Sequence, residues 1–375
     1  MTLSLKAKTI IPVALILVTI TALVAIYNYM SQVALLNAEA EDSLKSTLRA
    51  GQSIIDGQLA FYQQMATLVA KMPVAADALA KGDRGRLVSE FSEGYEALKK
   101  EFNVAQFQFH KPPAISFLRL HMLEKYGDDL SAFRNTVLSV NEKKTGVRGV
   151  EVGRGGIGLR GVVPVFNRGV HAGSVEFGGN LTPAVDDAKR VFGVEAGVLL
   201  SRESTALVWE GLPKDVKMIG EFASFYSTQA GIAEGVLSAE ILKETRRKPD
   251  KPFIGSAYHS GREYFLGIAP LKDYAGKDIG YFYVLKDKTE ILGKIRKALL
   301  VNVAIYLAVL IIISFAINLS LKRTVIDPVI ALTEAAESVS MGKLSQKIEV
   351  KTKDEISALA KSIDRMRVSM KKLLE

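Results

Sequence analysis

The chain contains no cysteine. Disulfides, thiolate metal sites, thioether-linked haem and cysteine nucleophiles are thereby excluded, and any domain outside the cytoplasm must be held by apolar burial alone. Histidine is nearly as scarce, at four in 375 residues. No P-loop and no His-Glu-x-x-His run occurs, so the residues offer no catalytic constellation, and neither an enzymatic activity nor a cofactor is expected of them. Gly153-Arg154-Gly155-Gly156-Ile157-Gly158 is glycine-rich, but it joins two strand-like runs and reads as a turn. The net charge of +9 is spread along the chain, and no segment is basic enough to suggest nucleic acid as a partner.

Charge is missing from two long stretches, one between Lys8 and Glu39 and one between Lys297 and Lys322. A helix needs about 20 apolar residues to cross a bilayer, so Ile10–Met30 and Ala298–Leu321 each suffice and the chain reads as spanning twice. Residues 31–297 then face the compartment opposite both termini. Lys6 and Lys8 precede the first span while only Lys45 follows within about fifteen residues, which puts the N-terminus in the cytoplasm. Lys288, Lys294, Arg296 and Lys297 before the second span pull the other way, and the first helix is taken to decide. A cleavable signal sequence is the competing reading, with Ala38–Glu39–Ala40 as its site. The apolar run is too long for that and ends too far upstream.

Between the spans, residues 31–71 hold no proline and read as one long helix. Leu44, Leu48, Ile55, Leu59, Tyr62, Ala66 and Val69 form one apolar stripe, and Ile54, Phe61, Met65 and Leu68 an adjacent one. Two stripes call for two partners, the helix's own domain and a second copy of the chain. After a polar break at Lys81–Gly85, period-2 alternation predicts strands at Phe102–His110, Ile115–His121, Val147–Val152, Ile157–Phe166 and Val170–Phe177, with a helix at Asp128–Lys144. A weaker copy of this order follows. It comprises a helix at Thr182–Phe192, strands at Val194–Leu200 and Ala206–Trp209, a helix at Ala239–Arg246, and strands at Phe253–Tyr258, Glu263–Pro270 and Asp278–Lys286. The fold class is α+β, with two antiparallel-sheet modules on a helical stalk.

A long helix carrying two PAS-like modules between two spans resembles the double Cache sensor domains of bacterial transmembrane receptors. Phe109-His110-Lys111-Pro112-Pro113, Ser116-Phe117-Leu118-Arg119-Leu120-His121, Gly127-Asp128-Asp129-Leu130-Ser131, Phe133-Arg134, Gly149-Val150-Glu151-Val152-Gly153 and Arg160-Gly161-Val162-Val163-Pro164-Val165 carry the resemblance. They look like the branch found on sensor kinases and chemoreceptors. The resemblance implies ligand entry between sheet and helix of the membrane-distal module, at positions His110, Phe117, Arg119, His121, Arg134, Glu151 and Arg160.

The residues themselves leave their role open. Strand alternation sets Phe117, Arg119 and His121 on one face and Ser116, Leu118 and Leu120 on the other. Arginines and histidines beside an aromatic wall suit a small anionic ligand. Equally, Arg119 and Arg134 suit structural ion pairs with Asp128, Asp129, Glu151 or Glu176. His110 and His121 lack a third partner at fixed spacing and read as hydrogen-bonded sheet residues rather than metal ligands.

At the C-terminal end, Val325, Val329, Leu332, Ala336 and Val339, then Ile356, Leu359, Ile363, Met366, Met370 and Leu373, follow heptad spacing. Helices this short must pair with each other and with a second copy. Asp327 reads as an N-cap with Pro328 in the first turn, Gly342, Leu344 and Ile348 as an extended connector, and Asp354 and Glu355 as the start of the second helix. Pro328, Gly342, Leu344, Ile348, Asp354 and Glu355 together resemble a HAMP domain, a parallel four-helix coiled coil made by two chains. A plain dimerisation coil is the bland alternative.

The expected layout is therefore a cytoplasmic N-terminus at 1–9, spans at 10–30 and 298–321, and a periplasmic sensor at 31–297. Within the sensor lie a helical stalk at 31–100, a distal module at 102–180 and a proximal module at 194–287. A HAMP domain at 322–375 completes it. The expected protein is a homodimeric receptor of the bacterial inner membrane, in contact with lipid, that senses a small molecule and relays to a cytoplasmic output domain or protein. The heptads still run at Met370 and Leu373, which favours a longer parent or a separate output partner. A ligand-free scaffold is the remaining alternative.

Overall fold

The computed structural model describes the chain except residues 1–4, 154–155, 207–215, 226, 248–250, 350–353 and 375. It forms two compact units, one of residues 37–291, the other of residues 1–36 with 292–375.

In the first unit the apolar period produces the later part of α1 (Leu5–Ala70), and Pro73 opens α2 (Pro73–Lys81). The break at Lys81–Gly85 is a helix-to-helix turn, because Asp83 caps α3 (Arg84–Phe102) by accepting the Arg86 N–H at 2.9 Å. Every residue of the first apolar stripe, from Leu44 to Val69, is buried. Of the second stripe, Ile54, Phe61 and Met65 pack partly on the core, whereas Leu68 stays 56% exposed.

Alternating residues then build β1 (Gln106–Lys111), β2 (Ile115–Arg119), α4 (Asn135–Lys143), β3 (Val147–Gly153), β4 (Gly156–Asn167) and β5 (Val170–Gly179). Arg154 and Gly155 of the expected glycine-rich turn lie outside the described residues, but β3 ends and β4 begins on either side of them. The antiparallel sheet runs β2-β1-β5-β4-β3. Phe107, Phe109, Leu159, Val163, Val165, Val175 and Phe177 make its apolar face and share one core with α1 to α3. Backbone meets backbone there: a side chain at Gly161 would start 2.2 Å from the Gln63 amide nitrogen of α1. The other face is polar and carries α4, whose Val137 and Val140 meet Val162.

The second module has α5 (Thr182–Phe192), β6 (Glu195–Ser201), α6 (Arg202–Ala206), β7 (Lys217–Ile219), β8 (Phe222–Phe225), α7 (Ala230–Val236), α8 (Ala239–Arg246), β9 (Phe253–His259), β10 (Arg262–Lys272) and β11 (Asp278–Asp287). Its order, β7-β8-β6-β11-β10-β9, repeats that of the first sheet with β7 added at the edge. Leu44 and Leu48 of α1 pack beside Gly267 of β10, so one helix serves both sheets.

Several expectations are corrected. Phe102 belongs to α3, which ends where Asn103 takes a left-handed conformation (φ 55°), a geometry asparagine tolerates. The helix expected from Asp128 starts only at Asn135. Asp128 is committed to Arg119, Asp129 accepts the Ser131 N–H at 2.8 Å, and residues 127–130 run beside β2 instead. Ala206 ends α6 rather than opening a strand, and Leu207–Trp209 lie outside the described residues.

In the second unit, the first apolar run lies in α1 and the second in α9 (Thr289–Leu321). Both are long and apolar enough to span a membrane. Within them the Asn28 amide donates to the Tyr306 hydroxyl at 2.7 Å. A π-turn (Lys322–Ile326) joins α9 to α10 (Asp327–Ser340), with the Asp327 N–H reaching back to the Lys322 carbonyl. The helix is thus continuous, and Asp327 is not an N-cap. Pro328 has no N–H to give, and the wider turn accommodates it within the helix. Gly342 (φ 82°) ends α10, and Asp354 accepts the Ile356 N–H at 3.1 Å as α11 (Glu355–Leu374) begins. Asp364 accepts the Ile348 N–H at 3.0 Å, and Arg367 donates to the Leu344 carbonyl at 2.7 Å. The connector is thereby tied to α11.

Candidate functional site

The polar face of the distal sheet gathers a buried ionic cluster around Glu176 of β5. In β1, Gln106, Gln108 and His110 alternate with Phe107 and Phe109, and they pair in register with Gly178, Glu176 and Ser174. Glu176 is 0% exposed. It accepts from Arg134, which stands at the start of α4, and from Gln108 Nε2 at 3.1 Å, with Arg160 Nε at 3.6 Å. Arg134 also donates through Nε to Glu151 of β3 at 2.8 Å. Glu151 accepts the Thr136 N–H at 2.9 Å and its hydroxyl at 3.0 Å, which fixes the first turn of α4 on the sheet. Arg160 of β4 donates to Gln106.

Two guanidinium groups thus face two carboxylates, and the cluster is charge-balanced. Burial would raise the Glu176 carboxyl, but Arg134, Arg160 and His110 hold it down at about 2. Burial pushes His110 down to about 3, against the pull of Glu176 and with the help of Arg134. His121 is pushed down to about 4, again by burial first. Arg160 is lowered by burial and by Arg134 beside it, whereas burial, which would lower Arg134, is outweighed by Glu176 and Glu151, which raise it. Both histidines are therefore neutral near pH 7.

Of the seven expected residues, His110, Arg134, Glu151 and Arg160 meet in this cluster. Arg119 stands beside it but is engaged by Asp128 through two hydrogen bonds of 2.7 and 2.9 Å. His121 Nδ1 lies 3.4 Å from the Phe107 carbonyl at the margin. Phe117 is corrected. A β-bulge breaks the register between Phe109 and His110, so Ser116, not Phe117, pairs with His110. Phe117 packs against the apolar core, and Lys111 Nζ lies 5.3 Å from its ring. The sequence reading also missed Gln106, Gln108, Thr136 and Ser174, and weighed Glu176 only as a structural partner. Ser174 and Glu176 alternate with Val175 and Phe177, the signal that marks them as inward on the polar face.

Five buried polar atoms here have no hydrogen-bond partner among the described residues: Gln108 Oε1, His110 Nε2, Ser116 Oγ, Asn141 Oδ1 and Arg160 Nε. They include donors and acceptors in similar number. Beside Glu151, a cavity of about 120 Å³ opens between the modules, bounded by Phe133, Asn135, Asp273 and Lys277.

Residues 37–291 match the family described as the double sensory domain of two-component sensor kinase, and residues 321–372 match the HAMP domain. A haem sensor protein, HssS of Staphylococcus saprophyticus, is 28% identical over 141 residues, 38% of this chain, and the chain spans only 29% of that relative's length. Among solved structures, the ligand-binding domain of the Campylobacter jejuni chemoreceptor Tlp3 in complex with 4-methylisoleucine is similar over 70% of this chain and 93% of that one, at 10% identity and a TM-score of 0.42. The sensor domain of the V. cholerae histidine kinase DctB is similar over 68% and 98%, at 15% identity and a TM-score of 0.42. With the family match covering most of its length, two Cache-type sheets on one helix, and a HAMP relay beyond the second apolar helix, the chain belongs to the double sensory domain family of two-component sensor kinases and is built as a transmembrane sensing receptor.

Proposed function

We propose that the receptor sits in the bacterial inner membrane and takes a small polar solute of no net charge on the polar face of the distal sheet, at the Glu176 cluster. The carrying observation is that Gln108 Oε1, Ser116 Oγ and Asn141 Oδ1 are buried without a hydrogen bond, with His110 Nε2 and Arg160 Nε no nearer than 3.7 and 3.6 Å to Glu176, at a cluster whose charges already cancel. An anionic ligand, expected from the arginines alone, finds Arg119 held by Asp128, and Arg134 and Arg160 facing Glu151 and Glu176. A neutral or zwitterionic solute bonds Gln108, His110, Ser116 and Asn141 without leaving a carboxylate unpaired. Titrating the full chain in detergent micelles against zwitterions, polyols, carboxylates and amines tests this. A solute at a hundred times its Kd adds about 2.7 kcal/mol of stability. The expected shift comes from a neutral or zwitterionic compound and is lost in Gln108→Leu. A shift with carboxylates alone, or none across the panel, overturns the reading.

The receptor acts as a homodimer and relays to a cytoplasmic output, in the same polypeptide or a separate protein. Leu68 of α1 and Phe102 of α3 are 56% and 54% exposed, and Leu359, Met366 and Leu373 of α11 are 52%, 61% and 85% exposed. Apolar heptad positions left open in one chain suit a second copy. Because no native cysteine interferes, Leu359→Cys in membranes should trap disulfide dimers. Monomer throughout would defeat the dimer.

A further inference from the structure

We infer that the β10–β11 hairpin tip, residues 273–277, is the contact through which the distal sheet moves the strand leading into α9, whatever the distal site binds. The tip is rigid. Asp273 Oδ1 accepts the N–H groups of Ala275 and Lys277, each at 2.9 Å, and the Asp273 N–H bonds the Lys277 carbonyl at 2.9 Å. It is also seated on the other module: the Tyr274 N–H donates to the Val150 carbonyl of β3 at 2.9 Å.

The seat has no slack. A β-carbon at Gly149 would lie 2.3 Å from Tyr274 Cβ and 2.7 Å from its Cα, so the turn rests directly on the β3 backbone. On β3, Gly149 pairs with Arg160, and Glu151 follows Val150. Two members of the ionic cluster therefore flank the two residues that carry the tip. On the far side the tip opens into β11, an interior strand held between β6 and β10. Its end is fixed where Asp287 accepts the Thr289 N–H at 2.7 Å and buried Lys288 donates its N–H to the Glu263 carbonyl at 2.9 Å. A shift of β3 thus meets a stiff hairpin rather than a loop, and a packed two-sided strand transmits displacement instead of absorbing it. Tyr274 and Gly149 are positioning residues for the relay.

Hydrogen exchange on the full chain in nanodiscs reads this without any ligand. Gly149→Ala should raise amide exchange at least tenfold across residues 274–291 while β1 and β5 keep wild-type protection. The double variant Gly149→Ala with Tyr274→Gly removes the nearer of the two close contacts, that with Cβ, and leaves the one with Cα, so it should restore part of that protection. Glu151→Gln, a change on the cluster side, should raise exchange at the Tyr274 amide. Exchange altered only in β3 and β4, with residues 274–291 unchanged in both Gly149→Ala and Glu151→Gln, would overturn the inference. Global loss of protection in Gly149→Ala leaves Glu151→Gln to decide, and no change at Tyr274 in that variant overturns it as well. None of these readouts depends on the solute screen, so each proposal fails separately.

Discussion

Arg119 and Asp128 face each other through two parallel hydrogen bonds, and the same guanidinium donates to the Lys125 carbonyl at 2.8 Å. Arg119 therefore pins the loop that follows β2. Arg119→Ala should loosen that loop and lower stability by about 1–2 kcal/mol, a modest figure because Asp128 is partly solvated. Trypsin cleavage after Lys125 should accelerate at least tenfold. Unchanged cleavage would mean that the pair does not hold the loop.

Glu176 is the shared partner of two buried cations. Glu176→Gln leaves Arg134 with Glu151 alone and takes from Arg160 the carboxylate 3.6 Å from its Nε, at a cost of about 3–5 kcal/mol. Adding Arg160→Gln should cost less than the two single changes summed, because they belong to one network. Chemical denaturation of all three variants gives the coupling, and strict additivity would deny it.

Acidification should destabilise the sensor earlier than its carboxylates alone explain. His110 sits at about 3 in the fold against an ordinary 6.5, and His121 at about 4. Below pH 6.5 the unfolded chain takes up these protons while the folded chain does not. The stability present above 6.5 therefore falls as pH drops toward those values. Fully buried His110 contributes up to about 1.4 kcal/mol per pH unit. Glu176, held at about 2 against 4.5, adds a loss of the same sign below 4.5. Thermal melts between pH 7 and 5 should show a shallower slope in His110→Gln, and equal slopes would count against a neutral buried imidazole.

Between the apolar helices, Tyr306→Phe removes the acceptor of the Asn28 amide. Interhelical hydrogen bonds in membranes are worth about 0.6 kcal/mol on average and up to about 1.7. A double-mutant cycle with Asn28→Ala, read by unfolding in detergent, should return a coupling in that range. A value near zero would show that the contact does not fix the helix pair.

Legibility followed the length of each signal. The strands of the distal sheet and the three last strands of the proximal one were readable because each sets five or more residues against a shared core. The three residues of β7 and four of β8 carry too little pattern to register. Phe117 was misplaced because strict alternation has no provision for a bulge, whose one extra residue moves Ser116 to the inner face. Arg134, Glu151 and Arg160 were named from sequence. Their neutralisation was not legible, since it depends on Glu176 of β5, 42 residues downstream of Arg134.

The π-turn at Lys322–Ile326 bears on how this chain tolerates editing. Each i→i+5 turn takes in one residue more than an α-turn, and one residue on a helix is worth about 100° of rotation. Deleting a single residue within Lys322–Ile326 can be absorbed by relaxing the turn to ordinary helix, which leaves the apolar seam of α10 aimed as before. The same deletion inside α10 has no such reserve and turns every later seam residue away from its neighbours. Length variation among related receptors should therefore collect at this turn and be purged a few residues further on.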